Sequence, residues 1–60
     1  MSTVYNPEAD KVAEIERLEL EARDLRRRME QAKADADKRV LGRQLKEVEQ
    51  QIELLRAKLP

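Results

Sequence analysis

The six residues "RDLRRR", Arg23 to Arg28, are the densest concentration of charge in the chain, and they raise one chemistry, contact with phosphate. Basic side chains clustered along a helix neutralise phosphates and release counterions, which gives binding that weakens steeply with salt. Arg23 and Arg27, joined further along by Lys38, Arg39, Arg43 and Lys46, are the candidate phosphate contacts. The chain is neutral overall, with 13 basic and 13 acidic side chains, but the two signs are separated. Residues 1–22 hold two basic and six acidic side chains, residues 23–46 hold nine and four, and residues 47–60 hold two and three. Stacking on bases needs aromatic rings, and the single tyrosine, Tyr5, lies outside the basic segment. Nucleic acid would therefore be met through its backbone or its shape. The plainer expectation is a solvated helix surface, with Glu19 and Arg23, and Asp24 and Arg28, spaced four apart for ion pairing.

Asp35 and Asp37 are the other pair whose spacing invites a role. Flanked by Lys33, Lys38 and Arg39, they suit a helix start or a turn better than a divalent cation, which wants several uncompensated oxygens. Cysteine and histidine are both absent, which removes disulfides, thiolate nucleophiles, the usual zinc ligands and the commonest general base at neutral pH. No catalytic residue, metal, cofactor or small-molecule substrate is expected, and the chain reads as no enzyme. The opening residues "MSTVYNPEAD" carry neither a basic start nor an apolar core of signal-peptide length, and Ser2 stands where N-myristoylation needs glycine. No apolar run reaches membrane-spanning length, and the alanine-containing apolar stripe with an acidic first half suits another helix rather than lipid. The expectation is a cytoplasmic protein without membrane contact.

The elements that must carry these side chains are helices. Charged residues make up 43% of the chain, against about a quarter in ordinary domains. Aromatic residues amount to 2%, with one glycine and two prolines. Such a composition favours long helices and gives a sheet nothing to pack with. Asn6 followed by Pro7 reads as an N-cap with proline at the first helical position, and Glu8 and Asp10 complement the positive end of the helix dipole. Apolar residues then recur at Ile15, Leu18, Ala22, Leu25, Met29, Ala32 and Ala36, and again at Leu41, Leu45, Val48, Ile52, Leu55 and Leu59. Alternating steps of three and four are the seam of a coiled coil.

Between Ala36 and Leu41 the step is five, which rotates the seam by about 140°. A turn accounts for this better than a continuous helix does. The predicted architecture is all-α, an antiparallel two-helix hairpin of coiled-coil type that assembles into a helical bundle. Its parts are a tail over residues 1–6, helix one over 7–36, a turn at 37–40 capped by Asp37, and helix two over 41–60. Folding there pairs residues whose numbers sum to 77, from Ala36 with Leu41 to Leu18 with Leu59, and every layer is apolar on both sides. The same fold sets Glu19 near Arg56, Arg26 near Glu49 and Glu21 near Lys58. A turn at Gly42 or a parallel homodimer would bring like charges together.

A hairpin this thin has little core, and the predicted register leaves Val12 and Ile15 on an overhang with no partner in the chain. Leu20 and Leu54 point away from the seam. These four, with Val4 and Tyr5 as a secondary anchor, are the candidate intermolecular contacts. The expected function is structural or adaptor, through coiled-coil contacts with copies of itself or with a larger assembly. The alternatives are a small nucleic-acid-binding regulator using the basic half, and a helical inhibitor that lays its overhang in a groove of a host protein. On this register Ile15→Asp would abolish such docking while leaving the hairpin layers intact. With "DAD", Asp35 to Asp37, near its tip, a hairpin of this length resembles the Rop-type plasmid RNA-binding proteins. That resemblance covers three residues plus architecture, and it implies a dimer forming a four-helix bundle that contacts RNA.

Overall fold

The computed structural model describes residues 6–60. The proposed anchors Val4 and Tyr5 lie outside the described residues. Two helices account for nearly all of the rest, α1 over Pro7–Gln31 and α2 over Asp35–Ala57, packed side by side as an antiparallel hairpin.

The start of α1 follows from its sequence. Asn6 is extended (φ −119°, ψ 100°), and its side-chain Oδ1 accepts from the backbone N–H groups of Glu8 at 3.1 Å and Ala9 at 3.3 Å. Two of the donors that a helix N-terminus leaves orphaned are thereby satisfied, and Pro7 at the first helical position has none to lose. Glu8 and Asp10 occupy the first turn, and Arg28 the last.

The turn lies earlier than the apolar spacing predicts. Helix one ends at Gln31 rather than residue 36, and helix two starts at Asp35 rather than residue 41, so residues 37–40 are helical and the connection is residues 32–34. Electrostatics at the helix ends explain the shift. Continuing α1 to Ala36 would place Asp35 at its negative pole; ending it at Gln31 leaves Arg28 in the last turn instead. Starting α2 at Asp35 puts Asp35 and Asp37 at a positive pole. Asp37 is thus a first-turn residue and not the cap; the cap position belongs to Ala34, whose side chain makes no capping hydrogen bond. Ala36, predicted in the seam, is exposed within α2.

The connection also sets the stagger. Ala32 (φ −69°, ψ 134°) and Ala34 (φ −85°, ψ 137°) are both extended, and a three-residue connection can span up to about 10 Å. The chain therefore climbs past the end of α1 before α2 turns back.

The core is one row of side chains. Ile15, Leu18, Ala22, Leu25, Val48 and Ile52 are buried, with Leu41, Leu45, Leu55 and Leu59 packed partly against them. Ala22 and Ile52 line one flank of the seam together, and Leu25 and Val48 line the other. The layers thus lie about one step from those predicted, since Leu25 stands level with Val48 rather than Ile52. Continued along the hairpin, this register sets Leu59 against Ile15, which is only 6% exposed. Ile15 belongs to the core, which corrects its assignment to an overhang. Gly42, placed in the first turn of helix two by the predicted bounds, lies two turns inside α2, and its φ is not positive.

Candidate contact surfaces

Among the described residues four large apolar side chains remain exposed outside the core. Val12 is 42% exposed, Leu20 61%, Val40 57% and Leu54 64%. Leu20 and Leu54 each lie two residues beyond a core position, Leu18 and Ile52, which turns them about 200° from the seam. They face outward from opposite helices, so the structure does not bring them into one patch. Leu20 lies among Glu16, Glu19 and Arg23, and Leu54 beside Gln50, Glu53 and Ala57. Val12 sits beside the seam near the start of α1. Val40, which the sequence reading missed, occupies the matching place near the start of α2. The signal was available only once the turn was located, because the predicted turn at 37–40 hides Val40 in a loop.

The flanks of the seam are charged. Arg26 donates to Glu49 at 2.8 Å, and Arg56 donates to Glu19 at 3.1 Å. These are the two cross-helix pairs predicted on that flank. The third, Glu21 with Lys58, is not among the ion pairs of the described residues; Glu21 lies along the opposite flank with Asp24, Arg28 and Gln51. Within α1, Arg28 meets Asp24 at 3.0 Å as the i,i+4 spacing predicts, and Arg17 meets Glu14 at 3.8 Å. Glu19 is not the partner of Arg23, because Arg56 reaches it across the hairpin.

The candidate phosphate contacts divide into two sets. Arg23 and Arg27, four residues apart, share one face of α1; Arg39, Arg43 and Lys46, at spacings of four and three, share one face of α2. Lys38 lies nearer the seam line of α2. All six are exposed, and none takes part in an ion pair among the described residues. Arg23 borders both Leu20 on the outer side of α1 and the groove toward α2, where Arg26, Glu49 and Arg56 also lie.

Nothing in the described residues gathers three or more acidic side chains closely enough to hold a metal ion, and no charged or polar side chain there is buried. The concavities are open grooves along the flanks, the larger lined by Glu21, Asp24, Arg28, Gln44 and Glu47. Among the described residues no helix is long and apolar enough to cross a membrane. The helical-inhibitor alternative relied on Ile15 as a free docking residue, and Ile15 is buried in the hairpin's own core. What the arrangement can do is present helix surface, apolar at isolated points and charged between them. No protein-family model matches the chain, and no curated protein or solved structure does so either.

Proposed function

We propose that the chain is a helix–helix contact module, a self-associating hairpin with a structural or adaptor role toward copies of itself or a larger protein assembly. The observation that carries this reading is the pair of outward leucines, Leu20 at 61% and Leu54 at 64% exposure, on a hairpin whose buried core is six residues. A core this thin gains more from burying each further leucine, about 1.5–3 kcal/mol when coverage is complete, than a larger domain would. Because the two leucines face opposite ways, one hairpin offers a lateral contact on either side, and packing of two hairpins into a four-helix bundle would use one of them. Sedimentation equilibrium in high salt, where charge contacts are screened, tests this. The expected result is a dimer or larger species, shifted toward monomer by Leu20→Asp or Leu54→Asp. A monomer throughout the concentration range overturns lateral association.

The six basic side chains without ion-pair partners support a second reading, a nucleic-acid-binding regulator that contacts the phosphate backbone. Its affinity for duplex RNA or DNA would fall steeply between low and moderate salt, and Arg39→Ala and Arg43→Ala would each lower the salt slope by about one. Failure to retain either duplex at low salt overturns that reading.

A further inference from the structure

The stagger leaves a step at each end of the rod. At one end, among the described residues, no part of α2 lies beside roughly the first two turns of α1, where Lys11 is half-buried and Val12 exposed. At the other, α2 begins alone over residues 35–40, all of them exposed, Val40 included. The steps are similar in depth, and in each one helix stands beside no second helix, the connection of residues 32–34 rising along the step at α2. We propose that they form a joint between copies of this chain, the α1 end of one hairpin lying beside the α2 end of the next, so that hairpins stack head to tail along the rod axis. This deepens the reading of the chain as a helix–helix contact module, on which it rests, by naming a second copy as the partner and the rod ends as the surface.

Direction and charge both fit. In such a stack α1 of one copy runs antiparallel to α2 of its neighbour, as the helices do within one hairpin. Followed outward by heptad spacing from Ile15 and Leu45, the seam positions become Glu8 and Lys11 on α1 and Lys38 on α2. Apolar residues give way to charges just where the chain's own partner helix ends. In the joint Glu8 faces Lys38 and Lys11 faces Asp35, so each seam charge meets its opposite, while Asp37 comes level with Ala9. The helix ends agree, since the acidic start of α1, with Glu8 and Asp10, comes near a neighbouring α1 end that carries Arg28 and a connection that carries Lys33.

The joint is only about two helical turns deep, well under the roughly 800 Å² per partner of a standard interface. Each joint is therefore weak. The contact is also heterologous, using different surfaces on the two copies, so it does not close and gives a run of sizes rather than a single oligomer.

Sedimentation velocity of the full chain, over a concentration series at low and at high salt, tests the joint. At low salt the weight-average mass should climb with concentration without a plateau, and this growth should vanish at high salt. Glu8→Lys and Lys38→Glu should each abolish it, because each gives the two ends of its own rod like charges. An equimolar mixture of the two variants should restore it, since every joint can then bring opposite signs together. Both substitutions lie outside the core, and circular dichroism would show each hairpin still helical. A wild-type mass that does not grow at low salt overturns the joint, as does growth that survives both charge reversals. The lateral contact is read separately, from the mass at high salt, so either association can fail without the other.

Discussion

Gly42 shows how a single residue changes meaning with its place. In a turn a glycine contributes conformational freedom; inside α2, with an ordinary helical φ, it contributes only backbone entropy to be lost on folding. A Cβ built there meets nothing closer than the Met29 Cε at 3.5 Å, an ordinary contact. Gly42→Ala should therefore stabilise the hairpin by about 0.5–1 kcal/mol, visible as a raised midpoint in urea or thermal unfolding followed by circular dichroism. A drop in stability would mean that Met29 cannot share the space. Val12 and Ile15 make the opposite comparison. They are three residues apart on one helix and alike in chemistry, yet one is 42% and the other 6% exposed. Ile15→Ala should cost about 2–3 kcal/mol, whereas Val12→Ser should stay within about 0.5 kcal/mol of wild type. Equal effects at the two positions would contradict the register.

At the scale of elements, the two helix starts differ in quality. α1 begins with a satisfied cap at Asn6, while α2 begins at Ala34, in extended geometry but without a side chain that can accept a hydrogen bond. Ala34→Ser should supply that acceptor and raise stability by about 0.5–2 kcal/mol, and equilibrium unfolding would measure it. The cross-helix ion pairs are exposed and contribute little each. A double-mutant cycle on Glu19 and Arg56 should give a coupling of about 0.2–1 kcal/mol, decreasing as salt is added. These pairs also explain why the register was only partly legible in the residues. Glu19 with Arg56 and Arg26 with Glu49 have numbers that sum to 75, which flanks the predicted seam at 77 and equally the observed one, where Leu25 stands level with Val48. Matching charges on that flank could not tell the two apart. Only the opposite flank differs, and its predicted pair, Glu21 with Lys58, is the one that does not form among the described residues.

The whole molecule is a staggered rod, 53 Å in its longest extent and 11 Å in its thinnest, with its charges divided along its length. A shape this slender has much surface for its volume, so its stability responds to whatever covers that surface. Association that favours the folded hairpin raises the apparent unfolding midpoint by mass action. The midpoint should thus climb with protein concentration, and the climb should shrink in the Leu20→Asp and Leu54→Asp variants. A midpoint independent of concentration would count against self-association of either kind.

The residues by themselves determined that this chain is helical, where α1 starts, and most of the apolar seam, though not that Ile15 is covered or that Ala36 is exposed. Composition excludes a sheet, Asn6 and Pro7 mark an N-terminus by local chemistry, and a period of three and four holds for Ile15 through Leu59 whichever way the chain folds. The place of the turn and the register were decided by the tertiary structure. A heptad pattern repeats, so sliding one helix by a layer still sets apolar against apolar, and periodicity alone cannot choose between such states. Here the choice comes from the whole hairpin acting together. Helix ends favour carboxylates at the start of α2, a connection with Ala32 and Ala34 extended lengthens the climb, and Ile15 is drawn into the core against which Leu59 packs. The burial of Ile15 removes one candidate surface, and the same stagger leaves Val12 and Val40 exposed near the two helix starts.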